Sequence, residues 1–389
     1  MFSRRTDWKL SPNRLTQALE AARTAGRELI DLTVSNPTRA GVAYDRDAVL
    51  DSLRNERALD YNPQPKGLLF ARTAVCDYYS THDESIDPES LVLTSGTSEG
   101  YSYVFRLLAN PGDAILVPKP SYPLFDFLAD LQDVKLVSYP LIYDHGWQID
   151  FHSLKKAIEP ATRGIVLVNP NNPTGSYVSA SERQQLNELC REHNLALIVD
   201  EVFLDYALND SAHPTFASNR DALTFTLSGL SKISALPQMK LAWIAVSGPA
   251  VKAHAAMERL EVIADTYLSV GAPVQLGTPT MLQQRSTVQA QILDRVRHNL
   301  SELDSQLSQQ KSCVRLLVEG GWYAVLRVPV TQSDEDLAIA LLREKRVLVH
   351  PGHFYDFAQD GFLVLSLILP EREFQRGVAK ILNFVAAQS

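Results

Sequence analysis

Four short polar stretches, each following an apolar run, hold the residues that could do chemistry. The first is TLSGLSKISALPQMK, Thr226 to Lys240, in which Lys232 stands between Ser231 and Ser234 and Lys240 follows eight residues later. A primary amine forms imines with carbonyl compounds and moves protons once its pKa is lowered, although most lysines are solvated surface charges. The second is SGTSEG, after LVLT and ahead of the helical pattern YSYVFRLLAN. Helix-start N–H groups and the hydroxyls of Ser95, Thr97 and Ser98 suit a phosphate, while small residues also build ordinary strand-to-helix turns.

The third stretch closes LALIVDE with Asp200, at the lip of a strand expected to be buried on both faces. An unpaired carboxylate is costly there, so a cationic partner is expected; a helix cap or a salt bridge is the plainer alternative. The fourth is NPNNPTG after GIVLV, where Asn172 offers a directional amide donor within what could equally be plain turn chemistry. An amine, an acid, a phosphate cradle and an amide at one sheet edge are the combination that pyridoxal 5′-phosphate requires.

The elements that position these residues follow from hydropathy. Seven apolar runs between about residues 90 and 250 read as strands: LVLT, AILVP, VKLVSYP, GIVLVNP, LALIVDE, LTFTLSG and LAWIAVSG. Helix-length amphipathic segments separate them, such as SASERQQLNELCREH, which Ser179 or Ser181 can cap. This alternation predicts crossover connections and a mainly parallel seven-stranded sheet covered by helices, an α/β fold. In such sheets ligands collect outside the carboxyl ends of the strands. After Gly248 long polar helices follow, including a span from about Thr280 to Gln310. WYAVLRVP, SDEDLAIALLREK, RVLVHPG, FLVLSLIL and a closing helix from Glu371 then read as a smaller α+β domain. The expected division is 1–45 for an N-terminal arm and part of the small domain, 46–285 for the large domain and 286–389 for the small one.

Bulk composition narrows the function. At 389 residues and 45% hydrophobic content the chain can bury a large core, and a formal charge of −8 gives no basic footprint for nucleic acid. Three scattered cysteines fit a reducing compartment and no metal spacing, and no apolar run is long enough to span a membrane. A cytoplasmic enzyme acting on small molecules is expected.

In order along the chain, YNPQPKGLLFAR, SGTSEG, PSYPLF, NPNNPTG, DEVFLDY and SGLSKISALPQMK resemble the class I/II pyridoxal-phosphate aminotransferases of fold type I. The resemblance implies that Lys232 forms the Schiff base, Asp200 pairs with the pyridinium nitrogen and Asn172 contacts the phenolic oxygen. Tyr122 would stack on the ring, where an ordinary core aromatic is the alternative. Ser95, Gly96 and Thr97 would line the phosphate, with Ser228 or Ser231 adding hydroxyls. Tyr61 would reach the phosphate of a neighbouring subunit, which implies a homodimer. The expected reaction moves an amino group between an amino acid and a 2-oxo acid. A lyase or other carbanion reaction on the same scaffold is the alternative, and a non-catalytic cofactor-binding module a third.

Three positions depart from that pattern. Lys240 stands where a phosphate-binding arginine is usual and loses its bidentate fork, and Phe203 replaces a tyrosine that commonly donates to the phenolic oxygen. In GFLVLSL, Val364 occupies the place of the arginine that clamps the substrate carboxylate. Either another cation takes its place, with Arg39, Lys119 and Arg346 as candidates and Arg39 first because it follows SNPT, a segment expected at the mouth of the site, or the substrate is not an ordinary α-amino acid. Asn36 of that segment is expected to touch substrate as well.

Overall fold

The computed structural model describes residues 1–26, 28–211 and 213–388. The chain opens with α1 (Arg14–Thr24), β1 (Ile30–Asp31), α2 (Arg46–Asp51) and α3 (Leu69–Ser80). The central region alternates β2 (Leu91–Thr94), α4 (Thr97–Leu108), β3 (Ala114–Lys119), α5 (Phe125–Asp130), β4 (Lys135–Tyr143), β5 (Trp147–Ile149), α6 (Phe151–Ala157), β6 (Thr162–Val168), α7 (Ala180–His193) and β7 (Ala196–Asp200). It continues through β8 (Thr224–Gly229), α8 (Leu230–Ile233) and β9 (Ala242–Ser247) to α9 (Ala250–Tyr267), α10 (Ala272–Gln283) and α11 (Arg285–Leu307). The last elements are β10 (Val314–Arg315), β11 (Tyr323–Arg327), α12 (Asp334–Ala340), β12 (Val347–Leu348), β13 (His350–Pro351), β14 (Phe362–Ser366) and α13 (Glu371–Ala386).

The main sheet runs β2-β9-β8-β7-β6-β3-β4-β5. It has eight strands, one more than the apolar runs predict. The additional β5 is three residues long and pairs antiparallel with β4 across a turn in which His145 adopts φ +54°; so short a strand carries no hydropathy period to detect. The predicted span from Thr280 to Gln310 divides instead between α10 and α11, with Gln284 between them.

Successive side chains of the central strands go to opposite faces, and both faces are covered. Ile165 and Leu167 pack with Leu186 and Leu189 of α7, while Val166 and Val168 pack with Tyr101, Val104 and Phe105 of α4. At the β2–β9 edge, Leu91, Leu93 and Trp243 pack with α3 and α10. Helix α7 begins with a capping box between Ser179 and Glu182, which holds its start against the sheet.

A second core joins both ends of the chain. Leu15, Ile30 and Leu32 pack with Val296, Leu303, Trp322, Leu363, Phe374 and Ile381. Its antiparallel sheet has the order β10-β11-β14-β13, and the parallel pair β1–β12 lies beside it. Phe203, Tyr206 and Ala235, from loops at the edge of the main sheet, enter the same core.

The end of β8 is held close against β9. Gly229 lies opposite Ala242, and a Cβ on Gly229 would meet Ala242 Cα at 2.8 Å and the Leu241 carbonyl oxygen at 2.9 Å. Both are backbone atoms, so the strands must part to admit it. Gly229→Ala is expected to lower stability by about 1–3 kcal/mol, read as a reduced urea midpoint at unchanged slope. An unchanged midpoint would contradict this close approach.

Candidate active site

Strand direction brings the chemical residues to one edge. β3, β6, β7 and β8 are mutually parallel. β9 is antiparallel to both β8 and β2, so β2 points the same way as β8. The turn Ser95–Gly96–Thr97, the Asn169–Asn172 turn, Asp200 and the Gly229–Lys232 segment therefore all leave the sheet on one side.

Lys232 lies in the single turn of helix α8 rather than in an open loop. Separate parts of the chain hold its backbone. The Tyr206 hydroxyl donates to the Lys232 carbonyl at 2.7 Å, the Tyr44 hydroxyl to the Ala235 carbonyl at 2.8 Å, and Gln289 Nε2 to the Ile233 carbonyl at 2.9 Å. The amine itself donates to the Ser35 carbonyl at 3.3 Å and lies 4.8 Å from the ring centre of Trp322 and 5.5 Å from that of Phe203. Burial lowers its pKa to about 8, opposed by the charge of Asp200.

Asp200 ends β7 with 9% of its surface exposed. It accepts from the Val202 amide at 3.1 Å and from the Tyr101 hydroxyl at 3.2 Å. Burial raises its pKa to about 6 against those two hydrogen bonds and the Lys232 charge. Among the described residues no cation comes within ion-pair distance of it. Tyr122 stands exposed nearby, its phenol pushed up by desolvation and then by Asp200.

Asn172 is also buried, and among the described residues its side-chain Oδ1 has no hydrogen-bond partner. Lys240 Nζ lies 3.4 Å from where a Cβ on Gly96 would stand, so the lysine reaches the turn ahead of α4. The Ser95 amide donates to Glu99 Oε2 at 2.7 Å, a carboxylate that also accepts from Ser269. Ser228 is committed to the Glu201 carbonyl at 3.3 Å, whereas Ser231 is partly buried beside Lys232.

The other predicted residues have surroundings of their own. Tyr61 is 87% exposed and lines a surface cleft with Leu93, Tyr103 and Ser269. Asn36 caps the short turn Pro37–Arg39 by accepting from Thr38, and Arg39 is exposed on that turn. Lys119 pairs with Asp356 at 3.2 Å. Arg346 precedes the β1–β12 pair, at the end opposite Ser35 and His350. Val364 is 1% exposed in the middle of β14, between Val325 and His350.

Tyr101 and Glu99 escape sequence reasoning because their partners are set by how α4 docks, although Glu99 lies inside the SGTSEG motif and Tyr101 directly follows it. The phenols of Tyr323 and Tyr355 also border Tyr122, brought there by β11 and by the turn after β13.

The groups present fit pyridoxal phosphate. A buried carboxylate with no cation in ion-pair distance among the described residues suits a protonated ring nitrogen, the Asn172 side chain has an Nδ2 donor that suits a phenolic oxygen, and Lys240 at the Cβ-free Gly96 turn suits a phosphate.

Relatives agree with this chemistry. A glutamate-pyruvate aminotransferase, AlaA, of Haemophilus influenzae is 29% identical over 374 residues, 93% of this chain and 91% of its own. An S-alkyl-thiohydroximate lyase of Arabidopsis thaliana is 27% identical over 322 residues, 79% of this chain and 68% of its own. The fold matches that of an alanine aminotransferase from Pyrococcus furiosus with a TM-score of 0.91, at 20% identity over 100% of both chains. With the family model for aminotransferase class I and II matching residues 27–381, the chain belongs to that family and is a pyridoxal-phosphate-dependent transaminase of fold type I.

Proposed function

We propose that this chain moves an amino group between an amino acid and a 2-oxo acid, with Lys232 as covalent anchor and proton carrier and Asp200 as partner of the cofactor ring. The single observation that carries the reading is Asp200, buried with no cation within ion-pair distance among the described residues, on the sheet edge that also presents Lys232. Pyridoxal phosphate supplies, when bound, a ring that withdraws electrons from the substrate α carbon.

The chain's own residues do the rest. Asp200 holds a proton on the ring nitrogen. Lys232 Nζ, with its pKa lowered to about 8, takes the α proton, because a neutral fraction of the amine is available near neutral pH, and gives it up on the cofactor side of the shared nitrogen rather than back to the α carbon. Asn172 orients the phenolic oxygen without the tyrosine that Phe203 replaces. Tyr122 covers the ring. Ser95, Gly96, Thr97, Ser231 and Lys240 hold the phosphate; Ser228 adds its hydroxyl only by leaving the Glu201 carbonyl.

Tyr61, exposed on a cleft adjoining Ser269, is assigned to the phosphate of a second copy, which makes the working form a homodimer. Asn36 and Arg39 are assigned to the substrate mouth, on the segment whose Ser35 carbonyl receives Lys232. The division into 1–45, 46–285 and 286–389 is supported by the core that residues 15–40 share with residues 288–385. A cytoplasmic setting is proposed from three free cysteines, Cys76, Cys190 and Cys313.

Elimination is the second reading, favoured by the resemblance to a named lyase. A screen of amino donors with ammonia followed in parallel separates the two. Transfer to a 2-oxo acid without ammonia release is the expected result; ammonia formed at the rate of donor loss would establish elimination instead.

Borohydride reduction of the holoenzyme followed by peptide mapping is expected to find the cofactor fixed on Lys232, and Lys232→Ala to abolish the label. A label on any other lysine would overturn the assignment.

A further inference from the structure

The substrate carboxylate needs a positive partner, and Val364, buried in β14, supplies none. Its cross-strand neighbour on β13 is His350. Directly opposed residues share one face of a sheet, with Cβ atoms roughly 4.5–5.5 Å apart. The imidazole therefore stands beside the place that Val364 leaves empty of charge.

That face looks into the site from two sides. Two residues beyond Val364, Ser366 Oγ donates to the Val34 carbonyl at 2.5 Å, next to the Ser35 carbonyl that receives Lys232. Opposite Ser366, the ring of Tyr323 lies 6.2 Å from that of Phe203, which itself underlies Lys232. On the other side His350 Nδ1 meets the Tyr355 hydroxyl at 3.1 Å, and the Tyr355 carbonyl accepts from the Ser121 amide, adjacent to Tyr122.

We propose that His350 receives the substrate's α-carboxylate in place of the arginine that Val364 replaces. The proposal rests on the active-site assignment made above. Of the other cations considered, Lys119 is paired with Asp356 and Arg346 lies at the far end of the β1–β12 pair, which leaves Arg39 as the competing residue.

The groups around His350 determine its charge. Burial lowers its pKa, and Asp31 on β1 raises it. Tyr355 contributes a neutral hydroxyl, while Asp334 on α12 is turned to the backbone amides of Gly361 and Phe362. The free imidazole is therefore neutral at pH 7, and an arriving carboxylate raises its pKa so that it takes up one proton. Affinity for a carboxylate is greatest below the free-enzyme pKa. It falls by up to about tenfold per pH unit above that value, until the pKa of the complex is passed.

The test compares 2-aminoisobutyrate with tert-butylamine, neither of which has an α proton, as competitive inhibitors of the holoenzyme between about pH 5.5 and 8.5. Lys232 labelling is checked in each preparation. Binding of 2-aminoisobutyrate is expected to weaken with rising pH more steeply than that of tert-butylamine. His350→Gln is expected to weaken 2-aminoisobutyrate about tenfold or more, remove its additional pH dependence and leave tert-butylamine unchanged. His350→Arg should restore tight, pH-independent binding. With Lys232 labelled normally, unchanged carboxylate preference in His350→Gln, or its loss in Arg39→Ala alone, overturns the proposal. A label away from Lys232 overturns the site assignment and this proposal together.

Discussion

An ionised carboxylate at the end of a strand covered on both faces costs several kcal/mol unless a positive group meets it. Asp200 stands in that position with two neutral donors, the Val202 amide and the Tyr101 hydroxyl, and its pKa rises to about 6. Among the described residues the charge that lowers it belongs to Lys232, whose own pKa falls to about 8 through burial. Two opposite charges are thus held close without the contact that would neutralise them. A third group, cationic where it faces Asp200 and reactive where it faces Lys232, completes the arrangement.

Keeping Lys232 in that position is the work of both cores. Tyr206 and Tyr44 bind the carbonyls of Lys232 and Ala235, Gln289 of α11 binds that of Ile233, and the tight β8–β9 approach at Gly229 fixes where α8 begins. Trp322 and Phe203 then wall the amine with aromatic surface. The second core thereby contributes to the geometry of a lysine that belongs to the main sheet. It also contributes the sheet face that Val364, His350 and Tyr323 share.

Residues that leave the sheet at strand ends were legible in the sequence, because an apolar run followed by a polar residue records both the strand and its exit. Asp200, Lys232 and the Ser95–Thr97 turn are of this kind. Pairings set by tertiary register were not. Tyr101 and Asp200 are 99 positions apart, and their contact depends on how α4 packs over β7. His350 and Val364 become neighbours only through the β13–β14 register. A hydropathy pattern carries neither relation. Asn36 has a local role of a different kind, as cap of the turn it precedes, because an Asn before Pro-Thr-Arg satisfies the local amide. The short β5 went unseen because three residues hold no period.

The central claim, that Asp200 keeps the cofactor ring nitrogen protonated, is tested most directly by ¹⁵N nuclear magnetic resonance of the enzyme reconstituted with ring-¹⁵N pyridoxal phosphate. A buried carboxylate partner should hold the nitrogen in the protonated chemical-shift range from about pH 6 to 9. Asp200→Asn should move it to the unprotonated range. An unprotonated nitrogen at neutral pH in the unaltered enzyme would contradict the account.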